Sequence, residues 1–511
     1  MKILIIGAGP AGLTAAYELL AKNNNDHEVI ILEESSYMGG ICKTVIHNGN
    51  YLDLGGHRFF TRVQEVSNWW QNIMPSQGAL PYDYKTLGRE AVITPGGPDP
   101  EKTDRVMLLR NTLSRILFKR KFFDYPVSLR LSTLRNMGFI TSITAGFSYI
   151  KSLIFRRKEN SLEDFYINRF GKKLYSMFFE NYTQNLWGRH PSEISPEWGS
   201  QRIKGLSIAA IIRDLFHSDS KRSEPSLSNN FAYPKLGPGQ LWEITAQEII
   251  KLGGRIITGA KVIALNKSGD VITGLEYVKD NQTVTLTGDI IISSMPLKDL
   301  IAGLNDVPER IKFIASGLPY RDYMIAGILI KSLALKNETR IRTLGGIVPD
   351  NWIYVHDKSV KMGRIQVFNN WSPYMVNDVE HTVWLGLEYF CNEGDSFWSM
   401  SDSEFAELAV NEMLKLGLIK SLDDVLDSHV ERVRKAYPAY FDTYEHIDEL
   451  REFLDSINNL YCVGRNGQHR YNNIDHSMCT AFEAVKNILS GTQDKSNIWN
   501  VNTDKEYNES R

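Results

Sequence analysis

Three observations in the first sixty residues predict an α/β fold organised around a dinucleotide-binding βαβ unit. Lys2 to Ile6 (KILII) reads as a buried strand, GAGPAG follows at once and opens a helix from Ala11 to Lys22, and HEVIILEE supplies a second strand that ends on Glu33. In that context Gly7 permits the tight turn, Gly9 lets backbone approach a pyrophosphate, and Gly12 lets the helix pack on the sheet. The helix N-terminus, with unpaired N–H groups and a positive dipole end, favours the phosphates. Glu33 lies 21 positions after Gly12, close to the spacing of about 20 at which a carboxylate reaches the adenosine ribose hydroxyls. An acid there disfavours a 2′-phosphate, so FAD or NAD is expected rather than NADP.

A chain of 511 residues with 42% hydrophobic content exceeds one core, so two or more folded domains are expected. Fifty-eight Lys and Arg against 60 Asp and Glu leave a net charge of −2, which provides no global field for nucleic acid. Cys42, Cys391, Cys462 and Cys479 form no C-x-x-C pair, so neither a metal site nor a disulfide framework is indicated and a reducing cytoplasm fits. The sequence enters the first strand almost at once, so no signal peptide is expected.

Along the chain, Val63 to Met74 has a helical pattern, and Gly88 to Asp104 is a loop rich in Gly, Pro and charge. Arg105 to Arg120 places Leu109, Leu113, Ile116 and Leu117 at helical spacing with Arg110, Arg115, Lys119 and Arg120 between them, which predicts a helix with a basic face, solvated in the first reading and an anion or membrane patch in the lesser one. Phe139 to Phe155 is apolar but too polar in places for a membrane span; it reads as a buried or groove-lining helix, with an interfacial helix beside Lys119 to Lys121 as the lesser reading. Ser161 to Arg213 is helical and aromatic, Lys221 to Asn230 is a polar loop, and Tyr233 to Gln240 is turn-rich. Arg255 to Ala264, Asp289 to Ser293 and Tyr461 to Gly464 return to the nucleotide sheet, followed by a helix over Asp475 to Leu489. Met324 to Lys331, Trp352 to Val355, Ile365 to Asn369 and Val383 to Phe390 read as a second sheet, interrupted by a helix that starts at the capping box Ser401 to Glu404. The expected division is a Rossmann-type domain from 1–62, 241–300 and 455–495, a mainly helical substrate domain over 63–240, an antiparallel-sheet substrate domain over 301–454 and a polar tail over 496–511.

A second glycine pair, Gly39-Gly40 in GGICKT, then YLDL and Gly55-Gly56-His57, resembles the FAD-binding opening of the flavin amine oxidase superfamily. Four further pieces make the chain resemble the UDP-galactopyranose mutases within it: LDLGGHRFF, MFFENYTQNLWG with SQRI, GRIQVFNNWSPY, and AYP with GRNGQHRYNNIDHS. The resemblance implies FAD held by Gly7, Gly9, Gly12, Glu33, Gly39, Gly40, Gly56, His57, Val262, Gly464, Arg465, Asp475, Ser477 and Met478. It places Tyr125, Phe178, Tyr182, Trp187, Trp371, Tyr437 and Tyr471 around a nucleotide sugar, and His57, Arg202 and Arg364 at the reaction centre. The implied reaction is a pyranose–furanose interconversion for surface-polysaccharide synthesis, with N5 of reduced FAD as nucleophile at the anomeric carbon and an external reductant such as NAD(P)H. Two separated arginines with tyrosine hydroxyls suit a diphosphate on their own chemistry. Val127-Ser128 after Tyr125-Pro126, Trp371 in place of a tyrosine and Thr183 in place of an asparagine depart from the family pattern. They leave the nucleobase and the sugar open. No metal, nucleic acid or transmembrane segment is expected, and a homo-oligomer is left open. The alternative is an oxidoreductase of the amine oxidase, protoporphyrinogen oxidase or desaturase kind; a flavin-binding scaffold without chemistry is a third.

Overall fold

The computed structural model describes residues 1–22, 27–125, 131–196 and 230–502. A five-stranded, wholly parallel sheet has the spatial order Leu460–Cys462, Ile290–Ser293, Lys2–Ile6, Glu28–Glu33, Arg255–Thr258. Numbered along the chain this is the doubly wound order 3-2-1-4-5, in which ligands bind beyond the carboxyl ends of the strands, where the winding reverses. That point lies between Lys2–Ile6 and Ile290–Ser293. Helices Pro10–Lys22 and Ile474–Ser490 pack together on one face, and the apolar residues of both strands and helices form one core. A three-stranded antiparallel sheet, Lys261–Ser268, Val271–Lys279 and Gln282–Thr287, flanks the other.

The second large sheet has seven strands in the order Val425–Pro438, Tyr320–Ile330, Val383–Cys391, Arg364–Val367, Trp352–Val355, Ser114–Phe118, Lys121–Asp124. All neighbours are antiparallel except Trp352–Val355 with Ser114–Phe118. Side chains alternate between faces along a strand. One face therefore carries Met324, Ile353, Ile365 and Leu387 beneath the helix Asp402–Leu416, whose capping box forms as expected.

Three expectations are corrected here. The Arg105 to Arg120 stretch is not a helix but the strands Met107–Asn111 and Ser114–Phe118. Two of its arginines are not on a solvated face: Arg110 is buried in a forked pair with Asp83 at 3.0 and 2.7 Å, and part-buried Arg115 donates from Nε to Asp350 at 2.9 Å, whereas Arg105, Lys119 and Arg120 are exposed. Pairing with the strands Asn230–Pro234, Trp352–Val355 and Lys121–Asp124 overrides the local helical spacing. Phe139–Ile154 is a helix, but its apolar side chains are exposed rather than buried. The start of the expected polar tail is also packed down, since Ile498 and Trp499 are buried.

Candidate active site

The glycine turn has the conformations that the sequence demands. Gly7 has φ +98° at the end of its strand, where the nearest side chain is Ser294, and a Cβ on Gly12 would run into the Gly7 carbonyl oxygen. Gly9 lies against Gly40, whose Cα would be 3.9 Å from a Cβ on Gly9 and whose own Cβ would come within 3.3 Å of Gly9 Cα. Gly39 and Gly40 take φ +99° and +56°, a region that disfavours side chains. Glu33 accepts from Ala8 N at 2.8 Å and from Ser35 N and Oγ at 2.9 and 2.8 Å. A carboxylate has about four acceptor sites, so one remains for a ribose hydroxyl. Val262 lies two residues beyond Ala260, whose N–H donates to the Glu33 carbonyl at 2.8 Å.

On the far side of the switch point, a Cβ on Gly464 (φ +78°) would come within 2.8 Å of Ala11, and Asp475 is buried with Oδ2 accepting from Thr61 at 3.0 Å. Arg465 donates to the carbonyls of Ala436 and Asn472 at 2.8 and 3.0 Å. Its guanidinium lies 3.9 Å from the Tyr471 ring centroid. Ser477 is buried at the start of the helix Ile474–Ser490. Met478 is brought elsewhere: fully buried, it accepts from Trp70 Nε1 at 3.1 Å in the core behind that helix. These residues fit a dinucleotide: a glycine cradle at a helix N-terminus, an acid with three of its acceptor positions taken among the described residues, and, among the described residues, buried polar atoms without partners at His57 Nδ1 and the Tyr323 hydroxyl.

The second face of the seven-stranded sheet supplies the other wall. Register places Tyr354, Arg364 and Glu388 in one row across three strands. Trp352, Gln366, Phe390 and Tyr323 join them on that face by the period of two. Arg364 is buried; it donates from Nε to the Tyr182 hydroxyl at 2.9 Å and from Nη1 to Tyr437 at 3.3 Å and Glu388 at 3.4 Å. Its guanidinium lies 5.0 Å from the Trp352 ring and 4.9 Å from Phe390. Tyr125 stacks on Tyr354 at 4.0 Å, Tyr182 on His356 at 4.7 Å, and Tyr437 on Tyr471 at 5.8 Å. Trp187 meets the Tyr437 ring edge-on at 6.5 Å.

The His57 turn joins the two walls. A Cβ on Gly56 would come within 2.9 Å of Trp352, and one on Gly55 would lie 3.5 Å from His57 and 3.6 Å from the Tyr323 hydroxyl. Enclosure by protein, with the Arg465 cation second, pushes the His57 pKa down to about 4, so the ring is neutral near pH 7. Burial raises Tyr182 to about 12 against the opposing effect of Arg364, which keeps its hydroxyl protonated. Burial also raises Glu388, again opposed by Arg364.

Two expected substrate residues are packed into the walls. Trp371 is fully buried with Nε1 donating to Asn351 O at 2.8 Å, and Phe178 is enclosed by Phe118 and Phe123 at 5.6 and 5.2 Å. Both support the chamber from behind. Arg202, Val127 and Ser128 lie outside the described residues. Glu388, Trp352, Tyr354 and Tyr323 were missed, although a lone carboxylate inside the apolar run Val383–Cys391 was a signal, because buried acids are paired.

A model of flavin-containing amine oxidoreductases matches residues 10–473. Protoporphyrinogen oxidase 2 of Arabidopsis thaliana is 20% identical over 533 residues, covering 97% of this chain and 95% of that protein. A zeta-carotene desaturase of Solanum lycopersicum is 43% identical over 61 residues, 12% of this chain and 10% of its own length. Among solved structures, reduced UDP-galactopyranose mutase superposes with a TM-score of 0.77 at 20% identity, over 99% of this chain and 100% of that one.

Proposed function

This chain belongs to the flavin-containing amine oxidoreductase family, and from that premise we propose that it is an FAD-dependent nucleotide-sugar pyranose–furanose mutase that serves surface-polysaccharide synthesis. The observation that carries the reading is Arg364, a buried guanidinium among tyrosine hydroxyls, on the wall that faces the His57 turn. An amine or a hydrocarbon has no use for a buried forked donor, whereas a diphosphate has. Arg364 would take phosphate oxygens, with Tyr182 and Tyr437 rotating their hydroxyl protons toward the same oxygens. Arg202 would supply the second cation. Neutral His57 would orient the flavin without adding charge. When bound and reduced, by NAD(P)H or another donor, FAD supplies a nucleophilic N5 for the anomeric carbon. The carboxylate of Glu388 holds the guanidinium in place before substrate enters.

That same ion pair favours the second reading, an oxidoreductase, because a neutralised arginine also tolerates an uncharged substrate. The test is to incubate dithionite-reduced and oxidised holoenzyme with UDP-galactose and with UDP-galactofuranose and to separate the sugars by chromatography. Interconversion is expected only in the reduced sample. Hydrogen peroxide formed from an amine faster than any interconversion would establish the oxidoreductase instead.

A further inference from the structure

The helix Phe139–Ile154 inverts the usual arrangement of a surface helix. Its small and polar residues face inward: Ala145 and Ser152 are buried, and the backbone at Ser148 and Tyr149 lies against Gly171, where a Cβ would come within 2.8 Å of Tyr149 N. Its large apolar residues face out. Phe139 is 80% exposed, Ile140 78%, Phe147 70% and Ile154 69%, with Ile143 and Ile150 between them. These six recur at the helical period and form one stripe. Contiguous exposed apolar surface of this kind is uncommon on a monomer unless something covers it.

Charge decides what covers it. From residue 131 to 158 the sequence has no Asp or Glu but five cations, Arg135, Lys151, Arg156, Arg157 and Lys158, in a chain whose net charge is −2. All five are exposed. Arg156 approaches Glu159 at 3.7 Å and Arg157 approaches Asp164 at 3.2 Å, exposed pairs that screen the field only partly. A second copy of this face would bring like charges together and offer no acid to pair with them. An anionic bilayer answers both features, since acyl chains take the stripe and headgroups take the cations. At 16 residues the helix is about 24 Å long, short of the roughly 30 Å hydrocarbon core. Among the described residues no helix is long and apolar enough to cross a membrane.

We propose that this protein docks peripherally on anionic membrane through the outward apolar face of the helix Phe139–Ile154, with the basic residues at its C-terminal end in the headgroup layer. The chamber lies close behind: the helix Leu162–Phe178, which packs against the docking helix, runs on into Glu180–Trp187 with Tyr182. A substrate or product taken up at the membrane surface would have a short path.

The test is flotation of the FAD-loaded protein with vesicles of phosphatidylcholine alone or with about one-third phosphatidylglycerol, alongside sedimentation velocity without lipid. Wild type should float with the anionic vesicles, at least tenfold less with neutral ones, and less as salt rises, because each basic residue near such a surface contributes about fivefold. Phe147→Glu with Ile150→Glu should lower partition by tenfold or more while flavin absorbance and thermal unfolding stay at wild-type values, since both side chains are exposed. Arg156→Glu with Lys158→Glu should abolish the preference for anionic lipid. Wild type that floats with neither vesicle, or that forms a dimer which the Phe147→Glu, Ile150→Glu protein cannot form, overturns the proposal.

Discussion

Arg364 concentrates the chemistry of the chamber because three different partners fix one guanidinium. Tyr182 holds Nε at 2.9 Å, while Tyr437 and Glu388 share Nη1 at 3.3 and 3.4 Å. Hydrogen bonds to charged groups contribute about 1.5 to 3 kcal/mol each, so Arg364→Ala should weaken binding of a nucleoside diphosphate by ten- to a hundredfold or so. Flavin-fluorescence titration with UDP, dTDP, GDP and ADP measures this. Arg364→Lys separates charge from fork: it keeps Glu388 paired but cannot donate in parallel, and should recover folding without recovering affinity. Equal affinity for all four nucleotides in wild type and Arg364→Ala would remove the residue from the site. The base preference belongs to other residues, and Val127 and Ser128 make UDP selectivity the open variable of that titration.

At the scale of elements, the glycine turn was legible because its requirements are local. Strand, turn, helix and acid follow one another within thirty-three residues, and Gly12 is fixed by contact with Gly7 in the same turn. Gly12→Ala should therefore displace the helix Pro10–Lys22 from the sheet and give protein that purifies without yellow colour; a yellow, fully loaded variant would contradict the steric argument. The second sheet was legible as strands but not as a site, because facing is decided by register. Tyr354, Arg364 and Glu388 come from positions far apart in the chain, and only pairing puts them in one row. The Arg105 to Arg120 stretch misled for the same reason. Leu109, Leu113, Ile116 and Leu117 have a helical period, yet the strands that pair with this stretch, Asn230–Pro234 and Trp352–Val355, lie outside the window. Trp371 and Phe178 matched a family pattern, but full burial within the wall is a property of packing that a motif does not encode.

At the scale of the whole molecule, neutral histidines mark the junctions between the sheets and the helices around them. His356 is buried between strand and helix, stacked on Tyr182 at 4.7 Å and 6.3 Å from Phe178. His469 is buried against Tyr320 at 4.6 Å, with Nε2 bonded to the Ala439 carbonyl at 3.0 Å. Burial lowers His356 to about 3 and His469 to about 4. The unfolded chain binds protons at these rings near pH 6.5 while the folded protein does not, so the protons bound in the unfolded state exceed those in the native state throughout the interval, and stability rises with pH there. Read downward, each ring removes stability between about pH 6.5 and its folded pKa, up to a few kcal/mol for a fully buried group at 1.36 kcal/mol per unit. Asp53 and Glu388, whose pKa values burial raises, act in the opposite direction and mask the effect in wild type alone. They cancel in a comparison with His356→Phe, which keeps a ring against Tyr182 and removes the titration. The Tm of wild-type holoenzyme should therefore fall more steeply than that of His356→Phe between pH 6.5 and 4, with the two curves converging in slope above pH 7. Parallel curves across the whole range would mean that His356 is already charged, or solvated, in the folded protein, and the junction would then owe nothing to its neutrality.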